Sequence, residues 1–146
     1  MIRDYEFHHG GALVHLLQAS DQLCAISKLP ADTNSAYLIN QNTAIYIKYS
    51  TKRLSPWRFT FHTEHQAEIE NIKAKFPRLF ILLVCNNDGV VCLSYRELKT
   101  ILDEQHDPAE WVSAARSKRQ MYTVNGSNGS LEFKVGASDF PSKLFL

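Results

Sequence analysis

Basic and aromatic residues alternate in the middle of this 146-residue chain, in a window that contains no acidic residue. No Asp or Glu occurs between Asp32 and Glu64. Cations bind phosphate groups and aromatic rings stack on nucleobases, so this mixture suits a nucleic acid. The window carries these cations and aromatic residues: Lys48, Lys52, Arg53 and Arg58, with Tyr46, Tyr49, Trp57, Phe59 and Phe61.

The pattern of this window is typical of two alternating strands joined by a turn at residues 55–56. The first strand is predicted to place Lys48 on the same face as Tyr46, with Ile45 and Ile47 on the other face. An ammonium group in the middle of a strand is costly unless a binding site or an anion uses it. Alternatively, the stem of Lys48 packs along the sheet and its head reaches solvent.

The turn and the second strand also offer two interpretations. Lys52 and Arg53, with Arg58, could clamp a phosphate or could belong to a solvated turn. Trp57 could stack on a base. However, its alternation with Phe59 and Phe61 places three rings on one face, a pattern more typical of a core.

Charge is distributed unevenly although the net charge is only +1. Residues 64–110 carry nine acids against five cations, whereas residues 111–131 carry Arg116, Lys118 and Arg119 and no acid. We therefore expect a basic face opposite an acidic helical face.

Histidines and cysteines give weaker signals. His62 and His65 have metal-ligand spacing at a predicted helix start, but further ligands from His8, His9 or Cys85 would be needed, and a capping role is favoured. Cys85 and Cys92 would face each other across a hairpin if its turn were the two residues 88–89, although free thiols are favoured. No phosphate loop, nucleophile elbow or paired-carboxylate motif occurs. We therefore predict no catalytic residue, metal or cofactor, and favour a non-enzymatic role.

Length and composition predict one domain over residues 1–146. The amino terminus has no apolar signal segment, and the longest apolar run, Leu79–Cys85, is too short to span a bilayer. An odd number of cysteines, three, favours a reducing cytoplasm. The apolar carboxyl-terminal residues 139–146 could dock on the domain or bind a partner, and docking is favoured.

The elements follow from hydrophobic period and turn residues. Thr63 and Gln66 are predicted to cap one helix that Pro77 ends, and Ser94 and Glu97 to cap another. Polar loops are predicted at 30–34 and 103–110. The predicted helices are 10–20, 63–76 and 94–102, and the predicted strands are 22–27, 36–40, 44–49, 57–62, 79–85, 90–93, 111–115, 120–124 and 131–135. The fold class is therefore α+β or mixed α/β, with a central mixed sheet flanked by helices and an appended carboxyl-terminal β-hairpin.

Over residues 8–85 the chain resembles the restriction-endonuclease-like superfamily, which is named for its PD-(D/E)xK signature. The resemblance consists of the order helix, three strands, helix, buried strand, and of the stretch Ile45-Tyr-Ile-Lys48. It implies that Lys48 matches the family lysine and that Tyr46 stands in place of the acid. The leading Asp would fall near Ser35 or Asn40. Because none of these replacements binds Mg²⁺ as a carboxylate does, the resemblance implies a catalytically degenerate nuclease core.

Three further motifs, at residues 47–53, 55–61 and 83–89, resemble segments of small bacterial or phage proteins. They imply no particular mechanism.

Three functional hypotheses follow. The first is a cytoplasmic module that binds nucleic acid or a nucleic-acid enzyme. The second is a protein-interaction or regulatory subunit of a phage or phage-defence system, which would use its acidic helices or its carboxyl-terminal tail. The third is a metal-dependent nuclease with Asp32 or Glu6 beside Lys48. For the first hypothesis, the predicted nucleic-acid-binding residues are Lys48, Lys52, Arg53, Trp57, Arg58, Arg116, Lys118 and Arg119.

Overall fold

The computed structural model describes residues 1–21, 23–29, 34–103, 105 and 109–146. Within these residues the helices are α1 (Asp4–Ala19), α2 (Thr63–Lys75), α3 (Tyr95–Ile101), α4 (Asp139–Ser142) and a 3-10 helix (Lys143–Phe145). The strands are β1 (Ile26–Lys28), β2 (Ala36–Ile39), β3 (Thr43–Ser50), β4 (Trp57–Phe61), β5 (Arg78–Cys85), β6 (Val90–Ser94), β7 (Glu110–Ala115), β8 (Thr123–Gly126) and β9 (Gly129–Ser130). Residues 22, 30–33, 104 and 106–108, which include parts of two predicted loops, lie outside the described residues.

The first sheet has the strand order β1-β2-β3-β5-β6, with β3 and β5 parallel and the other neighbours antiparallel. A parallel pair needs a long crossover connection, which β4 and α2 supply here. Every residue of β5 after Arg78 is buried, as the continuous apolar run predicted. The predicted α+β class with a central mixed sheet is confirmed.

Two apolar cores lie on opposite faces of the first sheet. On one face, Leu16 of α1 and Phe140 of the carboxyl-terminal segment pack with Ile47 of β3. On the other face, helices α2 and α3 and a second sheet pack against the strands, and Tyr46 of β3 belongs to this core. The alternation predicted for β3 is therefore confirmed.

The second sheet is antiparallel, with the strand order β4-β7-β8-β9. Strand β4 follows β3 in the chain but pairs with β7, where Trp57 lies opposite Ala114. The prediction of a strand at Leu131–Val135 is wrong. Within this segment only Val135 is bridged, to Tyr122, and the bridge is isolated. Residues 132–134, between β9 and Val135, are exposed and lie outside the ladder.

The helix starts differ from prediction in two places. Helix α1 begins at Asp4 rather than Gly10, and the backbone N–H of Arg3 donates to Glu6 at 3.0 Å. Helix α2 has His62 rather than Thr63 as its N-cap, whereas Gln66 donates back to the carbonyl of Phe61 at 2.9 Å. The capping box of Ser94 and Glu97 at the start of α3 is confirmed.

The turn between β5 and β6 places the two hairpin cysteines apart. Cys92 lies opposite Leu82, and the N–H of Cys85 donates to the carbonyl of Gly89, so Asn86–Asp88 form the turn. Cys85 and Cys92 therefore enter different cores, and the cross-strand bridge considered from the sequence is wrong. All three cysteines are free thiols.

We expect only Cys24 to react rapidly with a thiol reagent in the native protein. Burial raises the pKa of Cys85 and of Cys92 to about 12, whereas Cys24 is only partly buried. Counting thiols with Ellman's reagent before and after urea unfolding checks this. The variant Cys24→Ser should lose the fast phase, and fast reaction of all three thiols would contradict the expectation.

The carboxyl-terminal segment docks on the first sheet, as the sequence favoured. Phe140 and Leu144 are each 2% exposed, whereas Leu146 is 90% exposed. Arg78 holds the segment by donating to the carbonyl of Leu144 at 2.8 Å. Phe140 and Leu144 therefore anchor the tail in the core, whereas its last residue is exposed.

We expect Leu144→Ala to lower the free energy of unfolding by about 2–5 kcal/mol, because it leaves a cavity in the core. Leu146→Ala is the matched control and should change it by no more than about 0.5 kcal/mol. Urea denaturation of both variants measures the difference. Equal stability of the two variants would show that the tail does not dock.

Candidate nucleic-acid interface

Lys48 extends from the middle of β3 toward the amino-terminal end of α2. Its Nζ lies 3.0 Å from Nδ1 of His65 and 5.1 Å from the centroid of the Phe61 ring. Burial lowers the pKa of Lys48 to about 8, an effect that the negative charge of Glu68 partly opposes. The lysine head is therefore held inside the protein and neither points freely into solvent nor lies ready for phosphate.

His65 is fixed in one tautomer by its two partners. Its Nδ1 lies near the Lys48 ammonium and also 3.3 Å from the backbone N–H of His62, both of which donate. Nδ1 must therefore accept, which leaves the proton on Nε2. Protonation of His65 would remove this acceptor, and burial followed by the Lys48 charge lowers the pKa of His65.

Glu68 is the acid beside Lys48 that sequence reasoning missed. The hydroxyl of Tyr46 donates to its Oε2 at 2.8 Å, so helix α2 brings a carboxylate to the end of the side chain that replaces the family acid. The spacing of helix α2 could have indicated this contact. His65 and Glu68 are three residues apart and therefore lie on one face of the helix, next to the buried Ile69.

The acids named in the nuclease hypothesis do not support it. Glu6 lies on α1, which packs against the face of β3 opposite Lys48, so the pairing of Glu6 with Lys48 is wrong. Asp32 lies outside the described residues. Those residues contain no group of three or more His, Cys, Asp or Glu side chains placed to hold a metal ion.

Trp57 is buried, so the prediction that it stacks on a base is wrong. It is 2% exposed, its Nε1 donates to the carbonyl of Lys52 at 2.9 Å, and its ring meets Tyr122 edge-on. The alternation of Trp57 with Phe59 indicated a core position, and both rings belong to the core. Trp57 instead anchors the loop that carries Lys52.

Two basic loops meet at the carboxyl ends of β3 and β5. We call residues 51–56 and 116–120 the basic loop pair. The backbone N–H of Arg116 donates to Oγ of Ser55 at 3.1 Å, and the β4–β7 ladder ends beside this contact. Segments sixty residues apart in sequence are thus brought together. The pair carries four exposed cations: Lys52, Arg53, Lys118 and Arg119.

Arg116 is bound within the protein, unlike those four cations. Its Nε lies 2.8 Å from Oδ2 of Asp88, and its guanidinium lies 4.5 Å from the centroid of the Tyr122 ring. The Tyr122 hydroxyl donates to the same carboxylate oxygen at 2.7 Å. Arg116 therefore joins the basic loop pair to the β5–β6 turn, and its charge is matched by Asp88.

Arg58 lies outside the basic loop pair, on the exposed face of the second sheet. Its guanidinium is 4.5 Å from the centroid of the Trp111 ring. In such a contact the face of the guanidinium group meets the ring, and its N–H donors, which lie in the guanidinium plane, remain free to bind an anion. The structure thus separates the predicted binding residues: Lys52, Arg53, Arg58, Lys118 and Arg119 are exposed, Lys48 and Arg116 are bound internally, and Trp57 is buried.

The acidic face predicted from residues 64–110 is largely paired internally. Glu70 accepts from the Tyr95 hydroxyl and pairs with Lys99 at 3.2 Å. Glu97 pairs with Lys143 at 2.9 Å, and Glu110 is 7% exposed. Glu70 and Glu97 stabilise contacts between α2, α3 and the tail, and Glu110 is buried, so these three side chains offer little acidic surface to a partner.

No protein-family model matches this chain, and searches of curated proteins and of solved structures find no match either. Among the described residues, no helix is long and apolar enough to cross a membrane.

We expect Lys48→Met to change how stability depends on pH. Lys48 has a folded-state pKa of about 8 against an ordinary value of 10.5, so between these values the unfolded wild-type chain binds more protons than the folded one. Wild-type stability should therefore rise with pH across this window. The methionine variant should lack this rise, a difference on the order of 1–3 kcal/mol.

Urea unfolding of both proteins between pH 7 and pH 10.5 measures the difference. Because the two proteins differ only at residue 48, every other group that titrates in this range contributes equally to both stability curves. Parallel stability curves would mean that Lys48 titrates as an exposed lysine does.

Proposed function

We propose that this protein binds nucleic acid without cleaving it, and that the basic loop pair contacts the phosphate backbone. The observation that carries the proposal is the hydrogen bond from Arg116 to Ser55, which brings two cationic segments to one end of the molecule. Among the described residues, none of the four exposed cations of the loop pair forms an ion pair. They can therefore neutralise phosphates without first breaking an ion pair.

Both loops have a defined conformation before any ligand binds. Lys52 donates to the carbonyl of Pro56 at 2.9 Å, and Trp57 donates to the carbonyl of Lys52, so the first loop is held in shape. Arg119 has a φ of 66°, the left-handed region, which turns the second loop sharply. A preformed cationic surface loses less conformational entropy on binding than a flexible one does.

The surroundings of Lys48 favour binding over catalysis. After α1 the first sheet has three antiparallel strands, and after α2 it has a strand parallel to β3, whereas β4 between β3 and α2 belongs to the second sheet. The arrangement of the first sheet supports the resemblance to the restriction-endonuclease-like superfamily. Yet Tyr46 stands where that family has an acid, and Glu68 is already occupied by the tyrosine hydroxyl. One engaged carboxylate is a poor set of ligands for Mg²⁺. The degenerate nuclease core, and a cytoplasmic location, remain predictions.

We expect charge reversal in either loop to weaken binding to labelled DNA or RNA. Lys52→Glu with Arg53→Glu, and Lys118→Glu with Arg119→Glu, each remove two phosphate contacts. Each double variant should bind roughly tenfold or more weakly, and the slope of log affinity against log salt should fall by about 2. Fluorescence anisotropy over about 50–200 mM salt measures both quantities.

The matched control is Lys28→Glu with Lys75→Glu, which changes the net charge equally at exposed positions on β1 and at the end of α2. It should leave most of the affinity in place. Unchanged affinity and salt slope in both loop variants would refute the proposal. Mg²⁺-dependent nicking that Lys48→Ala abolishes would instead identify a nuclease, and no binding even at low salt would favour a protein partner.

A further inference from the structure

A cleft of about 470 Å³ lies beside the basic loop pair. Helix α1, the β5–β6 turn and the segment around Phe140 enclose it, and Val84 and Ala12 lie at its apolar base. Its volume falls within the roughly 300–1,000 Å³ of small-ligand pockets.

Aromatic rings surround this cleft. Phe7 lines it and is 63% exposed, a large exposed apolar surface for a residue inside a helix. On the neighbouring walls, His8 stacks on Tyr49 with ring centroids 4.7 Å apart, and His15 stacks on Phe140 at 5.6 Å. The exposed ring of Phe7, close to these two stacked pairs, is suited to stack a flat heterocycle.

Polar groups on the opposite rim could read the edge of such a heterocycle. The β5–β6 turn lines the cleft with Asn86, Asn87 and Asp88. Oδ1 of Asn86 lies 3.4 Å from Nε2 of His8, and the Asp88 carboxylate accepts from Arg116. Asn87 is therefore the polar side chain of the turn that these contacts leave for a ligand. Amide side chains both donate and accept, and unpaired bases are recognised in this way along their Watson–Crick edges. The base of the cleft is apolar and its rim is polar, as a nucleobase requires.

The β5–β6 turn lies between the cleft and the basic loop pair and contacts both loops. The N–H of Asn86 donates to the carbonyl of Ser50 at 3.1 Å, directly before the first loop. Arg116, from the second loop, binds the carboxylate and the carbonyl of Asp88. A strand whose phosphates lie on the loops would therefore lie close to the turn that lines the cleft.

We propose that the cleft holds one unpaired nucleobase of a single strand whose backbone lies on the basic loop pair. This inference rests on the proposed function. The positive loops favour a polyanion as occupant over an apolar peptide, and a base stacked within a duplex cannot enter. The protein should therefore prefer single strands or frayed ends to closed duplexes.

Two neighbouring glycines of α1 allow a sharp test. A Cβ atom added at Gly11 or at Gly10 meets no neighbouring element within 4 Å, but of the two only Gly11 lines the cleft. Gly11→Leu places a bulky side chain at the cleft and obstructs it, and Gly10→Leu is the matched control with the same change in helix propensity. A second pair is Phe7→Ala and Phe133→Ala, since Phe133 is also exposed, at 79%, but does not line the cleft.

The probes are a labelled oligothymidylate, the same strand made of abasic residues, and a blunt hairpin duplex. We expect Gly11→Leu and Phe7→Ala to bind oligothymidylate roughly 5- to 150-fold more weakly than wild type, the range for loss of base–aromatic stacking. The two control variants should bind as wild type. The abasic strand should bind weakly and equally to all five proteins.

The outcomes separate this inference from the proposed function. One outcome is that Gly11→Leu binds oligothymidylate as wild type does and the abasic strand binds as tightly as oligothymidylate, while charge reversal in the loops still weakens binding. The cleft then holds no base, and the backbone interface stands. If the wild type binds none of the three probes, both ideas fail. Circular dichroism of each variant checks that α1 is intact, and the oligothymidylate result for Phe7→Ala stands independently of Gly11→Leu.

Discussion

The parallel pairing of β3 with β5 is the constraint on which the other features depend. Both strands are buried on both faces, and a parallel pair requires the crossover through β4 and α2. Because the strands run in the same direction, Ser50 and Cys85 end side by side in the ladder. The first basic loop and the β5–β6 turn therefore start from the same edge, which places cations and the cleft together.

The same pairing explains why a lysine is tolerated inside the protein. Lys48 lies beside Leu83 in the ladder, on the face of the sheet that α2 covers, and its head lies at the start of that helix. There the unprotonated Nδ1 of His65 accepts from it, and Glu68 supplies opposite charge nearby. A buried charge without these partners would cost far more free energy than a surface lysine.

Local period predicted most of the secondary structure, because alternation and apolar runs determine which residues must be covered. It could not predict the sheet that β4 joins, since pairing with β7 depends on residues far away in sequence. The meeting of the basic loops follows from that same pairing. The register of the β5–β6 hairpin was missed because its turn is Asn86–Asp88 and not the two residues 88–89, and this change of register places Cys92 on the opposite face of the sheet from Cys85. Glu68 was missed because its partner Tyr46 comes from another element, and Phe7 because the cleft that it lines is formed by elements distant in sequence.

Arg116 shows why exposed cations and bound cations should be considered separately. Its guanidinium bonds to Asp88 and stacks on Tyr122, and its backbone holds Ser55, so it has little to offer a phosphate. Its contribution is to keep a loop and a turn in fixed relation. A ligand that touched both would then meet a surface whose shape is already determined, and its binding energy would not be spent on ordering the protein.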